Sequence, residues 1–157
     1  MDFFVFAIFL AACFAAGTTG AAFPPGAWYD SLRKPGWTPP NWLFPIAWTV
    51  LYVLIAWAAA RVAFIPGNGV ALAFFALQFS LNTLWTPVFF GLRRLGQGMA
   101  VLAALWVSVA GMLVFSAVLD RIAALMLIPY LIWVSYAGAL NFWIWRNNKP
   151  DAPVEAA

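Results

Sequence analysis

The chain has 157 residues, 66% of them hydrophobic and only 8% charged, with a formal net charge of +3. A soluble domain carries roughly 25% charged residues, so this composition excludes a water-covered surface and predicts an integral membrane protein. One cysteine, Cys13, and no histidine exclude an intrachain disulfide and a Cys/His metal cluster, and the charge is too small and scattered for nucleic-acid binding.

A membrane helix needs roughly 20 apolar residues, and five segments qualify. The first covers about residues 3–23 and stops at Pro24-Pro25. Asp2 stands where a secretory signal would need a cation, and the apolar run is long for one, so a retained helix is expected. Its small residues recur every four positions, Ala7-Ala11-Ala15 and Ala12-Ala16-Gly20, a spacing that allows close helix approach. The second segment covers about 41–65; Thr38 is its expected cap, with Pro39 and Pro40 at its first turn, and Pro66-Gly67 ends it. The third covers about 69–92 and ends at Arg93-Arg94; the fourth covers about 98–119 and ends at Asp120-Arg121. The fifth covers about 123–145 and ends at Arg146, before a polar tail at 147–157.

Between the first two spans lies "WYDSLRKPGWTPPNW", residues 28–42, stiffened by proline and rich in tryptophan. It reads as a long first loop. With five spans it shares a side with the third loop and the C-terminus. That side carries Arg33, Lys34, Arg93, Arg94, Arg146 and Lys149, against Arg61 and Arg121 opposite. The positive-inside rule places the first loop and the C-terminus in the cytoplasm, with Arg61 snorkelling from its helix end. The loop's prolines and Trp28, Trp37 and Trp42 fit an ordered lid, or an anchor in the headgroups.

No Asp, Glu, Lys or His lies in the middle of a span, which removes the ionisable groups of coupled transporters. Paired carboxylates, a phosphate loop and a nucleophile triad are also missing, so conventional catalysis has no residues to run on. Amides do occur at depth. Gln78, Asn82 and Trp85 share one helix face; so do Trp48, Tyr52 and Ile55, and Trp133, Ala137 and Leu140, with Asn141 at the edge. Each residue alone reads as interhelical glue or core; together they fit an apolar pocket with a few polar fixing points. "LNFWIWR" at the end of the fifth span matches the loose sterol-contact pattern, and equally an apolar run closed by a snorkelling Arg.

The segments "WYDSLRKPGWTPPNW", "FPIAWTVLY", "LQFSLNTLWTPVFFG" and "PYLIWVSYAGALNFWIWR" together resemble the translocator protein family (TspO/MBR, the peripheral benzodiazepine receptor) over nearly the whole chain. The resemblance implies an all-α bundle of five transmembrane helices, often a homodimer, with a cavity opening toward the first loop. It implies a membrane receptor or translocator that requires no cofactor. Its ligands would be tetrapyrroles such as protoporphyrin IX and haem, cholesterol, and benzodiazepine-type drugs, with membrane lipid around it. Carried over by motif, the ligand positions are Tyr29, Pro39, Trp48, Tyr52, Asn82, Trp85, Trp133 and Ala137, with Trp37 in the lid and Leu140, Phe142 and Arg146 as the sterol pattern. Phe142 replaces the common Tyr, which removes a hydroxyl from that pattern. Phe44-Pro45-Ile46-Ala47 departs from the usual run before Trp48. Two other readings follow from the family: a light-dependent porphyrin-degrading enzyme using Trp48 and Trp133, and a stress regulator acting through a partner protein.

Overall fold

The computed structural model describes residues 2–148; Lys149 and the remainder of the expected polar tail lie outside the described residues. Every regular element described is helical: α1 (Phe3–Ala22), α2 (Ala27–Ser31), α3 (Leu43–Val62), α4 (Gly69–Thr86), a π-type turn (Pro87–Gly91), α5 (Leu95–Leu119) and α6 (Arg121–Asn147). The protein is an all-helical membrane protein, and among the described residues five helices are long and apolar enough to cross a bilayer. A lipid core offers the backbone no partners, so an apolar chain must satisfy its N–H and C=O groups within each helix.

Local chemistry sets the ends. Asp2 caps α1, its carboxylate accepting from the N–H groups of Phe4 at 2.8 Å and Val5 at 3.4 Å. Asn68 closes α3 by donating to the Val62 and Ala63 carbonyls, and Gly67, at φ +87°, supplies the left-handed residue of that turn. Thr38 does not cap α3. Its hydroxyl donates to the Pro35 carbonyl at 2.7 Å, closing a turn of its own, and α3 begins later, at Leu43. At Pro87, α4 widens into a turn closed by Leu92 N–H to Pro87 C=O, an i→i+5 bond.

The long helices form a closed ring in the order α1–α3–α6–α5–α4. The main core runs through its centre, around Ile55, Leu105, Val109, Leu127, Tyr130 and Val134. A second cluster, built on Tyr29, Phe89, Leu95, Leu140 and Ile144, lies at the end where α2 sits. α1 is the least buried member; Ala16 is in the core, while Ala7, Ala11 and Ala15 are exposed.

At the far end Arg61 does more than snorkel. Its Nε and Nη2 bind Asp120 Oδ2 at 2.8 and 2.7 Å, joining α3 to the α5–α6 corner. The other oxygen of the same carboxylate caps α6 through the Ile122 and Ala123 N–H groups at 2.8 and 3.1 Å. Partial desolvation pushes this carboxyl up, but the Arg61 and backbone hydrogen bonds outweigh it and hold it below the ordinary 3.8. A depressed folded-state pKa stabilises the fold above the ordinary carboxylate value and ceases to do so as pH falls through the lowered one. Asp120→Asn is therefore expected to unfold more readily than the parent at neutral pH in detergent. That gap should narrow below pH 3.8; a gap independent of pH would contradict the ion pair's contribution.

Candidate functional site

The half of the bundle nearest α2 encloses a cavity of about 650 Å³. α1, α3, α4 with its π turn, and α6 wall it, and α2 closes over one side through Tyr29. The antiparallel helices bring four aromatic groups to one space. Trp48 tilts over Tyr52 at 5.5 Å between ring centres, and on the opposite wall Trp85 stacks on Phe89 at 5.0 Å.

Beneath lies a polar layer. The Tyr130 hydroxyl donates to Gln78 Oε1 at 2.9 Å and accepts from Asn82 Nδ2 at 3.3 Å, tying α4 to α6 with all three side chains buried. Of these, Asn82 reaches the cavity wall. Two buried polar atoms on wall residues lack a partner among the described residues: the indole Nε1 of Trp85, a donor, and Oδ1 of Asn141, an acceptor. Burying such groups unpaired costs about 1–3 kcal/mol each, a cost that a guest with matching groups can relieve.

Of the residues singled out in the sequence, Tyr29, Trp48, Tyr52, Asn82, Trp85, Ala137 and Leu140 line this one cavity. Trp133 stands outside the lining, edge-on to Phe44 at 5.8 Å and stacked on Tyr136 at 6.1 Å. Trp37 is 46% exposed, and its carbonyl accepts the Tyr136 hydroxyl at 2.5 Å; Pro39 is half-buried beyond the wall. The sterol pattern divides. Leu140 faces the cavity, whereas Phe142 is exposed on another side of α6 with the Arg146 guanidinium 5.8 Å from its ring centre. Residues two apart on a helix point about 200° from each other, so one guest cannot touch both sides.

Sequence reasoning missed Phe44, Phe89 and Phe90 as wall residues. The signal was the Pro87 that follows Trp85-Thr86, since the turn it opens carries both Phe89 and Phe90 inward.

The segment over the cavity is tied down at several points. Asn148 accepts from the Arg33 N–H at 2.9 Å and donates to the Arg33 carbonyl at 3.0 Å. Lys34 Nζ donates to the Tyr29 carbonyl at 2.6 Å and sits 4.5 Å from that ring's centre. Burial pushes the Tyr29 phenol up, and the negative charge of Asp30 adds to it, so it stays neutral near pH 7. Trp28 packs edge-on to Phe89 at 5.9 Å, while Trp42 is 65% exposed.

A sequence profile of the TspO/MBR family matches residues 8–146. The chain belongs to the TspO/MBR family. Among its relatives in that family, Protein CrtK of Rhodobacter capsulatus is 52% identical, covering 98% of this chain and 99% of that protein. The tryptophan-rich sensory protein of Cereibacter sphaeroides is 50% identical over 97% of this chain and 98% of its own length. The human translocator protein is 32% identical over 77% of this chain and 75% of its own. TspO/MBR membership and the five apolar helices agree on a multi-pass membrane protein.

Proposed function

We propose that this TspO/MBR protein is a membrane receptor or translocator whose cavity binds flat, largely apolar tetrapyrroles, with protoporphyrin IX and haem as the type ligands. The observation that carries the reading is the cavity itself: about 650 Å³, walled by Trp48, Tyr52, Trp85 and Phe89, with one unpaired donor and one unpaired acceptor on its wall residues. That volume lies in the range of cofactor-sized sites, roughly 300–1,000 Å³, and apolar walls with few polar points are their usual make-up. Sterols and benzodiazepine-type drugs suit the same walls. Lys34 holds the carbonyl of the wall residue Tyr29, with Arg33 next to it in the chain, so porphyrin propionates at that end of the cavity would meet two cations. The cation-rich end faces the cytoplasm by the positive-inside rule. The names of the relatives, sensory protein and translocator protein, accord with a ligand-responsive role.

The direct test is titration of the purified protein in nanodiscs with protoporphyrin IX in the dark, followed by denaturation. Saturable quenching of tryptophan emission and recovery of intact porphyrin are expected. Absence of saturable binding contradicts the reading; porphyrin consumed under light would favour the enzymatic alternative. Of the two tryptophans that alternative needs, only Trp48 borders the cavity.

A second expectation concerns iron. The chain has no histidine, and Cys13 is not a wall residue, which leaves the phenols of Tyr29 and Tyr52 as the metal-ligating types on the wall. Tyr52 already leans on Trp48, and Tyr29 is held against Phe90 at 5.3 Å. Free-base and zinc porphyrin are therefore expected to bind within about threefold of haem, since axial ligation contributes little. A large preference for iron, lost in Tyr29→Phe or Tyr52→Phe, would contradict binding by ring contacts.

A further inference from the structure

The cavity wall is uneven in a way the proposed function does not require. Every wall residue on α4, the π turn and α6 is buried or half-buried. The exposed wall residues all belong to α1, the start of α3 and the segment between them. Three sides are sealed by side chains. Phe23 lies on Gly91, where a Cβ would come within 2.8 Å of the ring, and closes α1 against α4. Phe44 on Trp133 and Trp48 on Tyr130, at 5.8 and 6.1 Å, close α3 against α6. Phe89, lying close enough to Gly98 that a Cβ there would be 3.1 Å away, seats α4 on α5, which backs the remaining side.

The fourth side, between α1 and α3, has a sill but no seal above it. The sill is Phe14 edge-on to Tyr52 at 5.8 Å, lowered into place by Gly17, whose missing Cβ would lie 2.9 Å from the Tyr52 ring. Residues 14, 18 and 21 form one stripe of α1, and 52, 49 and 45 one stripe of α3. Run antiparallel from the sill, they set Thr18 opposite Thr49 and Ala21 opposite Pro45. All four line the cavity and all four are exposed. From residue 14 to residue 21 is about 10 Å along a helix, a third of the hydrocarbon thickness. Neither threonine offers its hydroxyl hydrogen to a guest: Thr18 donates to the Ala15 carbonyl at 2.6 Å and Thr49 to the Pro45 carbonyl at 2.8 Å. The rim thus presents mainly apolar surface, on two helices that are long and apolar enough to cross a bilayer.

We infer that the cavity opens sideways into the bilayer through this window between α1 and α3, and that a phospholipid acyl chain enters it. The inference deepens the proposed function, resting on the cavity as a site for apolar guests and naming the bilayer as the phase that fills it. Water is not needed on the route, and the tied segment above the cavity need not open for a membrane-dissolved guest to exchange.

The test is photolabelling in liposomes that contain a phosphatidylcholine with a diazirine in one acyl chain, followed by peptide mapping. Adducts are expected on Leu140 and Ile144, which are 6% and 1% exposed and face the cavity, as well as on the outward Val118 and Ile132. Thr18→Phe combined with Thr49→Phe should abolish the cavity adducts and leave the outward ones, which also reports that the fold is intact. Protoporphyrin IX should compete for the cavity adducts alone. Labelling confined to outward residues in the parent overturns the window, and so does a second copy of the chain found cross-linked across the seam. Cavity adducts that the paired substitution removes but porphyrin leaves unchanged uphold the window and count against porphyrin as the ligand.

Discussion

Phe89→Ala is expected to lower the stability of the protein in detergent by about 3 kcal/mol and to weaken porphyrin binding by at least about tenfold. Phe89 is 2% exposed and is the residue on which that end of the molecule converges. It stacks under Trp85 at 5.0 Å and meets Phe90 at 4.8 Å, Trp28 at 5.9 Å and Tyr29 at 6.3 Å. Removing the ring leaves a void that rigid helices refill only in part, and it takes away the surface that fixes Trp85 and holds α2 down. Reversible unfolding and a porphyrin titration measure the two effects. Loss of stability with unchanged affinity would show that the Trp85 wall does not touch the guest.

Tyr130→Phe should destabilise by about 1.5 kcal/mol, because it strands Gln78 Oε1 and takes an acceptor from Asn82, both of them buried. Adding Gln78→Leu and Asn82→Leu to Tyr130→Phe should restore much of the loss, since an apolar layer carries no unpaired groups. If the triple variant is as unstable as the sum of its parts, the layer acts through shape and not through its hydrogen bonds. Porphyrin affinity should respond chiefly to Asn82→Leu, because Asn82 is the member on the cavity wall.

The five crossings were legible in the sequence because the bilayer imposes both a length and a composition on each span. The face shared by Gln78, Asn82 and Trp85 was legible because a regular helix keeps its period, and Asn82 and Trp85 both reach the wall. Beyond Pro87 that period fails. The π turn advances the chain by a wider step, so regular spacing no longer says that Phe89 and Phe90 turn inward. Trp133 shares a helix stripe with Ala137, yet only Ala137 lines the cavity. Phe44 of the neighbouring helix covers Trp133, and no periodicity in α6 alone can show that. In the sequence Arg61 and Asp120 each mark the end of a span; their pairing joins positions 59 residues apart and follows from which helices stand side by side.

The central claim, that the guest occupies this cavity, is tested most directly by Ala137→Trp. Ala137 is a half-buried wall residue, so a tryptophan there fills space that a porphyrin ring would need while the helix packing behind it stays in place. Equilibrium titration with protoporphyrin IX in nanodiscs is expected to show affinity reduced by at least about tenfold, roughly 1.4 kcal/mol, with thermal unfolding of the ligand-free protein unchanged. Parent-like affinity in a folded Ala137→Trp protein would contradict the account and place the ligand elsewhere.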